Sequence, residues 1–236
     1  MKILVTAGNT QTPIDQVRCI TNIFTGRTGG SIAKEAASRG HEVVLLTSHP
    51  ESADPAVNTK IMTYRTFDEL ETMMATEIAS GNHEAVIHVA AVSDFRVAGI
   101  YSLPEGTQFH AEHAMVQGPP RFVDASCGKV KSGHPELWLR LTPTPKLVDR
   151  IRSDWTFRGV LVKFKLEVGI EEADLVKIAA GSRAQSDADF IVANTLEGMH
   201  AWAMIGDRND RFTRVARGDL ASQILHRVET HRDTQT

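Results

Sequence analysis

Cysteine is scarce in this chain, with Cys19 and Cys127 the two thiols among 236 residues. Two thiols make neither a disulfide framework nor a four-ligand zinc site, and their scarcity fits a reducing, cytoplasmic setting. A basic excess is also missing: 26 Lys and Arg stand against 29 Asp and Glu, for a formal net charge of −3. That removes the electrostatic footprint of a nucleic-acid binder. No run approaches the ~18 uninterrupted apolar residues of a membrane span, and Ile3-Leu4-Val5 is too short for a signal peptide, so no membrane partner is expected. The ten His include no His-x-x-x-His pair, which gives a structural metal little support. Linker-like, repeated and low-complexity segments are absent as well, which predicts a single domain over 1–236 with one inserted segment at about 96–140.

What is present is core material: 42% of the residues are hydrophobic and 23% charged, the balance of a globular protein. Short runs rich in Val, Ile and Leu alternate with helix-period segments. The run Ile3 to Thr6 is followed by a helix from Gly29 to Arg39 that carries Ile32, Ala33, Ala36 and Ala37 on one face and stops at Gly40. Strand Glu42 to Thr47, a helix with Leu70, Met73, Met74 and Ile78 inside, and strand Ala85 to Ala90 come next. From Arg96 to Lys131 no period is sustained, which predicts loops and hairpin strands over the sheet edge. The rhythm resumes at Leu137 to Leu141, then helix Lys146 to Ser153, strand Val160 to Leu166, helix Glu171 to Ser182 and strand Asp189 to Ala193. A hairpin of Ala201 to Ile205 with Phe212 to Val215 and a last helix, Leu220 to Val228, complete the chain. The fold class expected is α/β, a Rossmann-like doubly wound and mostly parallel sheet with an irregular insert, binding its ligand at the carboxyl ends of the strands.

The most informative segment is the long polar stretch between Thr6 and Gly29, where an ordinary dinucleotide-binding turn takes a handful of residues. Gly8 allows close approach of backbone to a ligand. Gly26 and Gly29 precede the Ile32 helix, whose free N–H groups favour a phosphate, although the glycines alone could simply make turns. A nicotinamide-dependent short-chain oxidoreductase is a minor alternative. The second strand ends in Thr47-Ser48-His49-Pro50 with no acid for a ribose hydroxyl, and neither Tyr64 nor Tyr101 begins a Tyr-x-x-x-Lys pair.

The run Thr6-Ala7-Gly8-Asn9-Thr10, continued by Pro13, Asp15, Arg18, Asn22, Gly26 and Gly29, resembles the opening motif of the phosphopantothenate–cysteine ligase family of coenzyme A biosynthesis. Three later segments fall in that family's order: Ala90-Ala91-Val92-Ser93-Asp94-Phe95, Gly128-Lys129-Val130-Lys131-Ser132, and Lys163-Phe164-Lys165-Leu166-Glu167 followed by Ala188 to Asn194. With no decarboxylase half preceding it, the chain resembles the free-standing form. The resemblance implies that the carboxylate of 4′-phosphopantothenate is joined to L-cysteine through an acyl-nucleotide, with release of pyrophosphate and a nucleoside monophosphate. It also implies catalytic roles for Asn22, Arg18 and Lys129, with Lys129 on a flap that closes over the nucleotide. Nucleotide-binding residues would be Gly8, Thr10, Gly26, Gly29, Ala90, Ala91, Asp94, Lys131, Phe164 and Asn194. Asp94 would hold Mg2+ or a ribose hydroxyl, or alternatively cap a helix. CTP is favoured over ATP as co-substrate. No flavin is expected, because in fused enzymes the resemblance assigns it to the decarboxylase half. A non-catalytic nucleotide-binding module of Rossmann type stays open beside the enzyme. The family's ligases are dimers, and the apolar Phe109, Met115, Val116, Phe122 and Val123, with the alternating strand Leu137 to Leu141, predict a homodimer contact there.

Overall fold

Both faces of the run Ile3-Leu4-Val5 are buried, which is why it reads as continuously apolar: Ile3 and Val5 pack into one core cluster and Leu4 into another on the opposite side. The same alternation recurs with Val43 and Leu45 against Val44 and Leu46, and with Ala85 and Ile87 against Val86. A computed structural model describes residues 1–52, 58–80, 82–105, 107, 109–110, 115–116 and 122–233. Its elements run β1 Lys2–Ala7, β2 Gln11–Pro13, β3 Cys19–Thr21, α1 Arg27–Ser38, β4 Glu42–Thr47, β5 Thr59–Thr63, α2 Phe67–Ala79 and β6 Ala85–His88. There follow β7 Phe95–Ser102, β8 Phe109–His110, β9 Met115–Val116, β10 Val123–Asp124, β11 Trp138–Pro143, α3 Leu147–Ser153 and β12 Val160–Glu167. The chain closes with α4 Glu172–Gln185, β13 Phe190–Thr195, β14 Trp202–Gly206, β15 Phe212–Ala216 and α5 Leu220–Asp233. Among the described residues no helix is long and apolar enough to cross a membrane.

Contacts divide the chain into two compact units. The first comprises Met1–Thr10, Ile23–Val92 and Lys146–Thr236; the second comprises Gln11–Asn22 and Ser93–Pro145. The first holds an eight-stranded sheet in the order β15-β14-β13-β12-β6-β1-β4-β5. The six strands from β13 to β5 are parallel and β14 and β15 antiparallel. Taken along the chain, the parallel strands have the Rossmann order 3-2-1-4-5-6, whose direction of winding reverses between β1 and β6. Helices α1 and α5 cover one face, where Ile32, Ala36, Ile224 and Leu225 are buried; α2 and α3 cover the other through Leu70, Met74, Leu147 and Ile151. Helix α1 stops where Gly40 takes φ +84°, with the amides of His41 and Gly40 donating back to the carbonyls of Ala36 and Ala37. Helix α2 starts at Thr66, whose hydroxyl accepts from the Glu69 amide while Glu69 accepts from the Thr66 amide.

The second unit has a three-stranded sheet, β10-β7-β11, and the hairpins β2–β3 and β8–β9. Two expectations are corrected. Strand β5, which completes the doubly wound order, has no counterpart in the predicted rhythm, because Thr59-Lys60-Ile61-Met62-Thr63 is a polar-edged outermost strand. Leu137 to Leu141 does not rejoin the main sheet: Trp138–Pro143 pairs antiparallel with Phe95–Ser102. That partner strand lies partly inside the stretch read as aperiodic. Gly99 and a register shift between Arg140 and Leu141 interrupt its alternation. The long polar stretch after β1 carries its own hairpin, with the Asp15 carboxylate accepting from the amides of Val17 and Arg18 at its turn.

A row of buried polar side chains ends β1, β6 and β12 on the face of Leu4 and Val86. The Thr6 hydroxyl accepts from the amides of Val89 and Ala90 and lies 2.9 Å from His88 Nδ1. Burial, reinforced by the adjacent Lys163 ammonium, pushes His88 down to about 4. Between that value and the ~6.5 of an unfolded histidine, the unfolded chain binds the extra proton. The His88 contribution to stability is therefore present above ~6.5 and lost as pH falls toward the folded value, on the order of 3 kcal/mol in all. His88→Gln is expected to flatten the decline of denaturation midpoint between pH 6.5 and 4. Parallel pH profiles for wild type and variant would refute this reading of the site.

Candidate functional site

Strand β1 ends at Ala7, and the chain turns at Gly8 with φ +88°, a conformation that L side chains rarely adopt. A Cβ on Gly8 would overlap the Ser48 hydroxyl, and one on Gly26, at φ +80°, would lie 2.6 Å from the Gly8 nitrogen. The two glycines thus let two turns pack backbone on backbone. Ser48 Oγ accepts from the Asn9 amide at 2.9 Å and donates to Asn9 Oδ1 at 3.1 Å. The Ala91 amide donates to the Gly8 carbonyl at 2.8 Å, the Thr10 amide donates to the Ala91 carbonyl at 3.3 Å, and the Tyr64 hydroxyl holds the Ala7 carbonyl at 2.7 Å. These bonds lock the loop after β1 to the segment after β6, at the point where the sheet's winding reverses.

A cleft of about 760 Å³ opens over this point, within the range of small-molecule sites. Its walls are Gly8, the segment Ile23 to Thr28 with Ser31, Val89 to Ala91, Phe164 to Leu166, Asn194, Met199 and His200, and Arg217 with the start of α5. Arg27, Lys165, His200 and Arg217 supply basic groups, whereas no Asp or Glu is found among the described residues lining it. Lys165 is paired with Glu167 at 2.9 Å. The half-exposed Phe164 ring is shaped for a planar partner, and the Asn194 amide can both donate and accept.

Of the residues proposed from sequence, Gly8, Gly26, Ala90, Ala91, Phe164 and Asn194 meet in this cleft. Thr10 and Gly29 do not line it. Thr10 is fully buried and held through its amide. A Cβ on Gly29 would sit 2.5 Å from the Ala7 Cβ, so that glycine serves the close packing of α1 on β1. Arg18, Asn22, Asp94, Lys129 and Lys131 belong to the second unit. There Arg18 Nη2 donates to Asp15 Oδ2 at 2.6 Å and to the Val130 carbonyl at 2.8 Å, and the Val130 amide donates to the same Asp15 oxygen. The Arg18 guanidinium holds the Asp15 carboxyl well below the usual carboxylate range. Lys129 and Lys131 are exposed on either side of the buried Val130, so Arg18 and both lysines come together. Asn22 is half-buried and immediately precedes Ile23 in the chain; Asp94 is exposed. No group of three or more His, Cys, Asp or Glu among the described residues is arranged to hold a metal ion.

Arg217, His200 and Lys165 were not singled out from sequence as site residues. Arg217 stands in a short turn before the last helix, and no motif or spacing marks it; only the sheet's return brings it to the cleft.

Residues 1–102 match the family described as the DNA/pantothenate metabolism flavoprotein C-terminal domain. The chain is 32% identical over 234 residues to the coenzyme A biosynthesis bifunctional protein CoaBC of Thermococcus kodakarensis, covering 97% of this chain and 51% of that protein. It thus spans about half the length of the curated relatives it matches. The solved DNA/pantothenate metabolism flavoprotein of Streptococcus pneumoniae has a TM-score of 0.81 at 28% identity, covering 98% of this chain and 99% of that one. A Cab2 variant in complex with phosphopantothenate-cysteine shares the fold, with a TM-score of 0.70 at 16% identity over 99% of this chain and 86% of that one. Residues 1–102 thus resemble the DNA/pantothenate metabolism flavoprotein C-terminal domain family in sequence, and the chain shares the fold of the solved Streptococcus pneumoniae protein over nearly its whole length.

Proposed function

We propose that this protein joins the carboxylate of 4′-phosphopantothenate to the amine of L-cysteine, in the cytoplasm, at the expense of a nucleoside triphosphate. The observation that carries the reading is the cleft at the β1/β6 reversal, where two glycine turns, an aromatic face, a side-chain amide and basic groups converge with no carboxylate among the described lining residues. It is further supported by the relative named for coenzyme A biosynthesis and by the Cab2 complex with phosphopantothenate-cysteine. In the first step a substrate carboxylate oxygen attacks the α-phosphorus. The bond to the bridging oxygen breaks and pyrophosphate leaves with the electron pair. In the second step the cysteine nitrogen attacks the acyl carbon, loses a proton, and expels the nucleoside monophosphate. Both steps develop negative charge on oxygen, which preorganised donors stabilise.

Gly8, Gly26, Ala90 and Ala91 offer backbone to the nucleotide, Phe164 stacks on its base, and Asn194 reads the base edge. CTP is the proposed nucleotide. Asn22 donates its amide to the developing oxyanion, Arg18 serves the cysteine step, and Lys129 and Lys131 neutralise triphosphate charge. The described residues build no metal-binding cluster. Asp94 offers one exposed carboxylate, which would suit a magnesium ion held mainly by phosphate oxygens. The dimer belongs to the same proposal. Exposed Phe95, Phe122, Val123 and Leu141 leave an apolar surface on the second unit, whose burial between two copies is the expected contact. Of the rest of the contact expected from Phe109 to Phe122, Phe109–His110 and Met115–Val116 pair as a hairpin, and 111–114 and 117–121 lie outside the described residues.

Pyrophosphate release that requires both 4′-phosphopantothenate and CTP is the expected result, and binding without turnover would leave only a nucleotide-binding module. Asn22→Asp places a negative charge where one must develop and is expected to lower turnover by at least about 100-fold while CTP still binds. A rate within a few-fold of wild type removes Asn22 from the mechanism. Lys129→Gln should slow acyl-nucleotide formation about 10- to 100-fold without lowering the melting temperature. Normal accumulation of acyl-CMP would place Lys129 elsewhere. Sedimentation equilibrium should give about twice the 25.9 kDa of one chain, and a monomer mass at micromolar concentration would reject the dimer.

A further inference from the structure

Arg217 is a partly buried cation with no counter-charge among the described residues. Its guanidinium donates to Thr28 Oγ1, a neutral acceptor, and forms no ion pair with any described residue. Three other arginines drawn into the first unit are matched by carboxylates: Arg152 by Asp189, Arg183 by Asp210, and Arg39 by Glu35 and Glu229. Burial weakens the proton affinity of Arg217, with no opposing attraction from an acid. A guanidinium taken out of water without an anion is costly, so its position calls for one. The backbone fixes that position, because the Arg217 amide donates to the Ala201 carbonyl at 2.9 Å. The side chain lines the cleft beside Thr28, in the first turn of α1, where free amides already favour negative charge.

We propose that Arg217 receives a phosphate group of the bound ligand, its planar fork meeting two phosphate oxygens. The inference deepens the ligase reading, and rests on it only for naming two sources of the phosphate: the nucleotide and 4′-phosphopantothenate. The nearer source is the nucleotide, since Gly8, Gly26 and Arg217 share one cleft. The bidentate fork gives the arginine a role that a lysine would fill in part.

Titration calorimetry of the full chain with tripolyphosphate, CTP, cytidine and 4′-phosphopantothenate tests this. Arg217→Gln should weaken CTP and tripolyphosphate about 10- to 100-fold and leave cytidine within about twofold; Arg217→Lys should recover part of the loss. A loss confined to 4′-phosphopantothenate still supports phosphate capture and assigns it to the acid substrate. Unchanged affinity for all phosphate-bearing probes overturns the proposal. So does a loss of cytidine binding as large as that of CTP, which would make Arg217 a prop for the cleft wall. If Arg217→Gln does not fold, the same comparison in Arg217→Lys decides, with the weakening confined to phosphate-bearing probes or not. Ligase turnover separates the two readings: tripolyphosphate bound through Arg217 in a protein without turnover sinks the ligase alone. Normal turnover with an unaltered KM for both substrates in Arg217→Gln sinks the inference alone.

Discussion

The close approach of two turns at the carboxyl end of β1 is the constraint on which the site depends. Gly26 stands with its α-carbon so near the Gly8 nitrogen that a methyl group has no room, and both residues take positive φ. Each L side chain forced into that conformation costs about 1–2 kcal/mol before any overlap is counted. With glycine at both places, the start of α1 reaches the end of β1, and Gly29 lets the helix settle on Ala7. Gly26, Arg27 and Thr28 at the helix start then line the cleft. The proposed anion site would rest on this backbone geometry, with the surrounding side chains adding shape and charge.

Behind the cleft, the buried row at the strand ends holds the floor in place. The Thr6 hydroxyl gathers the amides of Val89 and Ala90, so the segment that floors the cleft is tied to β1 by side chain as well as by backbone. Lys163, beside His88 in the neighbouring strand, donates to the Ser182 carbonyl at 2.8 Å and to the Ser186 hydroxyl, which fastens β12 to α4. Burial drives the Lys163 ammonium down to about 8, and the same desolvation keeps His88 neutral near pH 7. A polar row of this kind adds little net stability, since desolvation offsets much of its hydrogen bonding. It does set the height of Ala90 and Ala91 relative to Gly8.

The parallel core was legible because strands buried on both faces leave unbroken apolar runs, as at Val43 to Leu46 and Val160 to Val162, and because Gly40 ends α1 in a way that sequence displays. Strand β5 was not legible. It lies at the sheet edge with Lys60 and Thr63 among its residues, so neither burial pattern applies. The second unit escaped for a different reason. Its strand from Phe95 to Ser102 passes from exposed at Phe95 and Arg96 to buried at Ile100 and Ser102 with a glycine in its middle, and Trp138–Pro143 finds its partner across some forty residues, a separation that no local period reports. In the cleft, the glycines and small residues were readable because a tight turn restricts residue type. Arg217 and His200 were not, because a charged residue in a surface turn looks the same whether solvent or a ligand lies beyond it.

That same ambiguity explains how an acidic chain can present a basic cleft. The formal net charge is −3, so attraction for an anion cannot come from the molecule as a whole. It comes from where the acids are engaged. Asp189 accepts from Arg152, Arg208 and the Leu161 amide, Glu77 from Lys60 and His83, and Glu229 from Arg39 and His41. Each of these carboxylates lies away from the lining of the cleft and is committed to neighbours, and among the described lining residues Arg27 and Arg217 have no acid beside them. Within low-dielectric walls two such charges are felt more strongly than the scattered surface excess, which salt screens within about 8–10 Å. Placement of charge, and not its sum, would therefore carry the proposed phosphate capture at the β1/β6 end of the sheet.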